Sequence, residues 1–431
     1  MKNTTKLDET QDFVDLFEYV GGGWVVPSVF LRWAALSLLA AVVEDRVFVR
    51  VFEHAPLYPN IWVFLIGDSG CGKDYAIGLA LSLLPPNHTL WKIDGKVTMP
   101  ALYDYLQRQQ RLTGRDSAPA YLVSSDVTEQ LPLGVEAKEF TSRVLQLYGG
   151  RERQLFDLTR TSGDRYIQRP LLNWIAGCTR EWFPHAIDAT VFNAGFAGRA
   201  FFILGEPQLE HFSEITPPRR RDHDAVMEHL RARVEFFFEL HAEATMSERA
   251  RLFYQQWLEN QRMHLQNAQL TEVERAVVNR QRTTVLKLAT LYAISAWVPG
   301  KSLTIRGNHI NRAIDDMRVL LRAVLEVANF AYQTPDTVLV DRVRDIIRTA
   351  GVIPRQRCLD LAVRRGVKSH KTFDEIIETL VQAGIVEIRR PPKEDRRGRP
   401  PILYRWKGAR IYLNVPDEDS PVPETDTTND G

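Results

Sequence analysis

Cysteine is scarce in this 431-residue chain, with only Cys71, Cys178 and Cys358 present. They form no CxxC pair and no Cys/His zinc spacing, which argues against a disulfide framework and a structural metal and makes the cytosol the default compartment. Net charge is almost absent, at +1, so any attraction to a polyanion has to come from a local patch. Long apolar runs are missing too. The most apolar helical stretch, VFLRWAALSLLAAVV, carries Arg32 and falls short of the ~20 residues a membrane span needs. It reads as a buried helix. The N-terminus, MKNTTKLDETQDF, has no apolar signal core. HxE…CxxC patterns, a metal-type His cluster and a DxD pair on a convincing strand are all lacking, so deaminase, nuclease and primase chemistry have no support.

What remains is a globular composition, 44% hydrophobic and 25% charged, in a chain long enough for two or three domains. Residues 1–10 read as disordered. Residues 11–60 give two helical patterns and the alternating run RVFVRVF, followed by the apolar strand IWVFLIG. From 75 to 204, short apolar strands (AYLVSSD, LLNWIAGCT, RAFFILG) alternate with helical stretches, the pattern of an α/β fold with a mostly parallel sheet between helices. After PPRRR at 217–221, residues 223–332 read as nearly all helix, with Leu286, Ala289, Ala293 and Ile294 on one face. The expected division is an α/β core with N-terminal helices over 11–207, a helical region over 208–333, a basic unit over 334–410 and an acidic disordered tail over 411–431.

The chemistry is concentrated in GDSGCGKD. Binding phosphate through backbone N–H groups needs a sharp turn that glycine permits and a helix N-terminus behind it. Gly67, Gly70 and Gly72 supply the turn, together with Asp68, Ser69 and Cys71. Lys73 can reach the β- and γ-phosphates of ATP, and the helix opening near Asp74 offers its positive end. The buried strand WVFLIG that such a loop requires stands directly before it. A hydroxyl residue ordinarily follows the lysine and helps hold magnesium; here Asp74 does, and a carboxylate can ligate that hard cation as well.

Hydrolysis further needs an acid at a neighbouring strand end. AYLVSSDVTEQL offers Asp126, with Glu129 one turn later in reserve, although Asp126 also fits as a helix N-cap. LLNWIAGCTR ends in Thr179, placed to sense the γ-phosphate or merely to close a strand. In NAGFAGRAFFILGE, Arg199 precedes a strand in a glycine-loosened loop, where it could serve as an arginine finger or stand as a surface arginine.

The order LYPNIWVFLIGDSGCGK, a strand ending in an acid, IAGCTREWF and GFAGRAFFILGE resembles the AAA+ ATPases of phages, prophages and plasmids, the primase-helicase or replication-protein type, whose motor layout is similar to that of MCM helicases. The resemblance spans about residues 25–300. It implies an ATP- and magnesium-dependent motor with a helical lid. Lys73 would bind phosphate, Asp126 or Ser125 would be at the metal-binding acid, and Thr179 would be the first sensor. Arg199 would act in trans, and Arg280, with Arg282 close by, would be at the second sensor. The departures are Asp74 and the missing adjacent acid pair. A homo-oligomeric ring follows from the trans arginine, six subunits being the expected number, in the cytoplasm of a bacterial or phage-infected cell. Any primase would be a separate partner.

Residues 336–408 read as three helices, a strand, a basic turn and a strand, the pattern of a winged helix. Ser369 is the expected N-cap of the third helix and Gly384 its C′ residue. From 334 to 410 there are 18 Lys/Arg against 10 Asp/Glu, so this is where a nucleic-acid contact would fall. The candidates are Arg389, Arg390, Lys393, Arg396, Arg397 and Arg399 in the wing, and Lys368, His370 and Lys371 at the start of the third helix, facing duplex or single-stranded DNA. Acids inside that helix (Asp374, Glu375, Glu378) speak against its lying full length in a groove, and a protein-binding role is the competing reading. The functional expectation is a mobile-element replication helicase or initiator. The alternative is a nucleotide-regulated DNA-binding switch with little unwinding activity.

Overall fold

In the computed structural model the described residues are 12–22, 25–52, 55–88, 90–130, 140, 142–149, 154–159, 163–183, 187, 192–208, 222–266, 270, 272–331, 335–382, 385–389 and 402–407. The expected disordered ends, 1–10 and 411–431, lie outside them. The chain forms two compact units, divided between Tyr332 and Gln333.

The first unit opens with α1 (Phe13–Gly21), whose N-cap Asp12 accepts from the amides of Val14 and Asp15. The apolar run then forms α2 (Ser28–Val43), buried on nearly every side because helices and the main sheet surround it. No described helix is long and apolar enough to cross a membrane. The alternating run becomes β1 (Val47–Phe52) and is followed by β2 (Ala55–Leu57). The apolar run before the glycine loop is β3 (Trp62–Ile66), buried at every position, and α3 (Lys73–Leu81) follows the loop. Next come β4 (Lys92–Asp94), α4 (Met99–Thr113), β5 (Ala118–Ser124) and the short α5 (Val127–Gln130). A hairpin of β6 (Gln154–Thr159) and β7 (Gly163–Gln168) leads into β8 (Pro170–Cys178), and β9 (Ala200–Leu204) completes the series.

The central sheet has the order β4-β5-β8-β3-β9, parallel throughout. The expected α/β arrangement is therefore what forms. Its three inner strands are buried on both faces, which is why they read as continuous apolar runs without alternation. Trp62, Phe64, Trp174, Phe196 and Phe202 pack edge-on or tilted around its centre. The two indoles keep their polar atoms satisfied, Trp62 Nε1 on the Leu172 carbonyl and Trp174 Nε1 on Gln130 Oε1.

The remainder of this unit contains α6 (His223–Phe238), β10 (Ala242–Met246), α7 (Glu248–Gln266), α8 (Glu272–Ser295), β11 (Thr304–Ile305) and α9 (Gly307–Ala331). Two segments expected as helix are thus strands. β10 pairs in parallel with β1 and with β11, giving a second sheet of order β11-β10-β1-β2. Its sequence, AEATM, favours a helix by composition, and the ladder with β1 overrides that weak preference. The second half of α8 is also buried well beyond one face: Val285, Leu286, Leu288, Ala289, Leu291 and Ile294 are all within the core.

The second unit has its own core, built from Val343, Ile346, Ile347, Leu359, Phe373, Ile377 and Leu380 among others. Its elements are α10 (Pro335–Ala350), β12 (Val352–Pro354), α11 (Arg355–Arg364), α12 (His370–Gln382), β13 (Val386–Arg389) and β14 (Leu403–Trp406). The three helices were expected; β12 was not. Ile353, expected inside the second helix, instead pairs with Tyr404 in an antiparallel sheet of order β12-β14-β13. Pro354 cannot donate to a ladder and marks the change from strand to helix. Ser369 caps α12 as expected, accepting from Thr372 N at 3.0 Å. Gly384 lies outside the described residues.

Candidate functional site

The loop at 67–72 leaves the carboxyl end of β3 and turns straight into α3. Gly67 N still donates to Cys178 O, and Gly205 N to Ile66 O, so the loop's base is held by the ladders on both sides. Gly70 and Gly72 have φ of 80° and 85°, a left-handed backbone that strains any residue with a Cβ. At Gly72 a Cβ would also meet Val26 Cγ2 at 2.5 Å. At Gly67 the obstacle is packing alone, with Cys71 Sγ and Gly205 O both at 2.7 Å.

Gly72 is the N-cap of α3 and supplies no side-chain acceptor. The first-turn N–H groups are therefore without the capping oxygen that Ser, Thr, Asp or Asn would give, the condition in which a helix start receives an anion. Lys73 lies among them, mostly buried. Its Nζ donates to the carbonyls of Gly67 and Asp68 at 2.8 Å each and is 3.5 Å from Cys71 Sγ. Asp68, Ser69, Gly70 and Asp74 are exposed around it.

Three neighbouring strand ends converge here. A Cβ at Gly177 would strike Ser125 O at 2.2 Å and approach Lys73 Cβ at 3.6 Å, so the end of β8 fits between the end of β5 and the lysine only because that residue is glycine. Neither Gly177 nor Cys178 stood out in the sequence, and the AGC between the apolar run and Thr179 was the available signal. The Cys178 thiol is pushed up to about 12, first by burial and then by Asp126, with Lys73 pulling the other way. Asp126, Lys73 and Cys178 therefore share one neighbourhood. Asp126 is half-buried directly before α5, and its N–H donates to Ser124 Oγ at 3.2 Å. The Glu129 side chain lies outside the described residues. Thr179 Oγ1 accepts from Trp182 N at 3.3 Å, which ties it to the turn after β8.

Arg199 is elsewhere. Ala200 pairs with Trp62, at the amino end of β3. The loop follows the carboxyl end of that same strand, on the order of 17 Å away at ~3.3 Å per residue. Arg199 donates to Gly195 O at 2.9 Å and its guanidinium stands 5.9 Å from the centre of the Tyr148 ring. Arg280 joins it, because a Cβ on Gly198 would meet Arg280 Cδ at 2.8 Å. The structure thus brings Arg280 together with Arg199 and not with the glycine loop of its own chain. Arg282 is exposed, with its carbonyl accepting from Tyr254 at 2.7 Å. Tyr148 is pushed up to about 12 by burial, against the pull of Arg280 and Arg199.

In the second unit Lys368, His370 and Lys371 are exposed at the start of α12, and Lys371 Nζ is 3.8 Å from Glu375. Arg364 and Arg365, also exposed, extend this basic turn. Arg389 is exposed beside Glu387 at 3.4 Å. Arg390, Lys393, Arg396, Arg397 and Arg399 lie outside the described residues.

No protein-family model matches the chain, and no curated protein matches it. Among solved structures it is similar to a full-length MCM homolog from Methanopyrus kandleri, with 12% identity and a TM-score of 0.41 over 75% of this chain and 63% of that one. The chain therefore spans less than two thirds of that protein's length. The likeness is too distant to carry an argument about what the chain does.

Proposed function

We propose that the chain is a P-loop ATPase of the AAA+ type that works as a homo-oligomeric ring on DNA, as a mobile-element replication helicase or initiator. The observation that carries the reading is the glycine loop: two left-handed glycines, a helix start without a side-chain cap, and Lys73 and Asp126 both near enough to act on the Cys178 thiol. The backbone N–H groups of 70–74 would hold the β-phosphate, and Lys73 would exchange its two carbonyl partners for phosphate oxygens, a stronger, charge-assisted contact. Asp74 and Asp126 would be the carboxylates to hold magnesium, which would neutralise charge on the bound phosphates. Among the described residues no three His, Cys, Asp or Glu could hold a metal by themselves.

Arg199, at the opposite end of the sheet from its own loop, is read as completing the site of a neighbouring chain. The second unit, with its three helices and antiparallel sheet, is read as a winged helix that contacts DNA through the 364–371 turn and the basic wing. The deciding experiment is strand displacement with ATP and with a nonhydrolysable analogue. Displacement with ATP alone supports the motor. DNA binding that responds to either nucleotide without displacement supports the alternative, a nucleotide-regulated switch. Mixing Arg199→Ala with Lys73→Ala chains restores some complete interfaces if the arginine acts in trans; no recovery of turnover rejects that role.

A further inference from the structure

Near Arg199 and Arg280 lies a buried lysine that the proposed mechanism leaves unused. Lys287 follows Arg280 by two turns of α8 and is 5% exposed. Its Nζ donates to Asn60 O at 2.9 Å and Asn60 Oδ1 at 2.7 Å, and it stands 4.2 Å from the centre of the Tyr148 ring. The Asn60 amide in turn donates to Tyr148 O at 2.8 Å and Leu172 O at 3.3 Å. The asparagine of the LYPN lead-in is therefore the joint between α8, the Leu145–Tyr148 turn and β8, immediately before β3 begins.

Burial of a lysine is costly unless an opposite charge offsets it, and an apolar side chain of similar length would pack there at less cost. Both acceptors of Lys287 are neutral amide oxygens. The charged groups that act on it are Arg280, on its own helix, and Arg199, before β9. The third facing group, Tyr148, titrates far up the scale. Burial and the two guanidinium groups together hold the Lys287 ammonium well below its ordinary pKa. Two guanidinium groups and a lysine whose charged form is disfavoured thus gather near one tyrosine ring, an arrangement that an arriving oxyanion would stabilise.

We propose that Lys287 is a positioning residue for a phosphate site formed by Arg199 and Arg280, and that the phosphate belongs to nucleotide held by a neighbouring chain. This rests on the ATPase reading above and deepens it. Lys287 seats Asn60 and Tyr148, and Tyr148 is the surface against which Arg199 lies. A phosphate beside the two arginines favours the charged form of the lysine, so filling the site takes up a proton. The sign follows: a lysine is charged below its pKa, so turnover that depends on this site falls as pH rises through the depressed pKa of Lys287. Arginine at that position stays charged throughout.

The test uses the full chain and three measurements: binding of a fluorescent ATP analogue, steady-state ATP turnover at ring-forming concentration, and the pH profile of that turnover. Lys287→Met is expected to bind the analogue like wild type and to lose about tenfold or more in turnover, since misplaced groups cost rate rather than binding at a distant loop. Lys287→Arg is expected to keep most of the turnover and to lose the fall at alkaline pH, an effect that a purely structural lysine would not produce. Wild-type turnover in Lys287→Met overturns the proposal. So does an unchanged alkaline fall in Lys287→Arg, and that variant decides the matter if Lys287→Met proves unstable. If wild type and Lys73→Ala bind the analogue alike, the ATPase reading itself fails, a result distinct from either outcome.

Discussion

At the carboxyl end of β3 the chain presents backbone, and at the amino end it presents long side chains. The glycine loop places amides and one lysine close together, and Lys73 is held there by carbonyls of its own loop. The opposite end gathers Arg199, Arg280 and Lys287 around Tyr148. A backbone cradle needs little sequence beyond glycines and is complete within one segment. A side-chain cluster draws on residues far apart in the chain, here 60, 148, 199, 280 and 287, and forms only when the fold is assembled. The first kind of site can bind a ligand by itself. The second, under the proposed function, would answer to what another chain brings.

The largest expected effect tests the first end. Lys73→Ala should lower ATP turnover on the order of a hundredfold or more, as loss of a charge-stabilising donor does; a loss of only a few-fold would break the assignment. Gly72→Ala should destabilise the first unit by about 1–3 kcal/mol, read as a lower thermal midpoint, because it combines a left-handed φ with a Cβ at 2.5 Å from Val26. Gly198→Ala probes the other end. Its Cβ would displace Arg280, and ring turnover should drop about tenfold while ATP binding holds. If ATP binding fell equally, the two ends would not be separable. Asp74→Ala should raise the magnesium needed for half-maximal turnover several-fold, and no change would remove Asp74 as a ligand. The smallest effect belongs to the second unit. Lys371→Ala should weaken DNA binding evenly across sequences and reduce the salt slope by about 1, read by titration at several salt concentrations.

The parallel sheet and the loop were legible because each is written in consecutive residues. WVFLI is apolar at every position and LLNWIAGC at every position but Asn173, as a strand covered on both faces requires, and GDSGCGK carries its own turn geometry. β10 was not legible: AEATM has a helical composition, and only its partner β1, nearly 200 residues earlier, makes it a strand. Ile353 was read as the start of a helix for the same reason, since Tyr404 completes its ladder. Gly177 looked like any glycine in a strand until Ser125 and Lys73 were found on either side of it.

The sequence by itself determined the glycine loop and the helix start behind it, because left-handed glycines, backbone amides and a helix start are local properties. It also determined that unit 2 would be basic, since charge is counted without knowing the fold. Only the tertiary structure decided which cations work together. Arg280 read only as a second-sensor arginine, and the fold lays it across Gly198 beside Arg199, above a lysine whose burial no local pattern announces. Side chains of that length reach whatever the packing places near them, and that is settled by how α8 lies against the sheet.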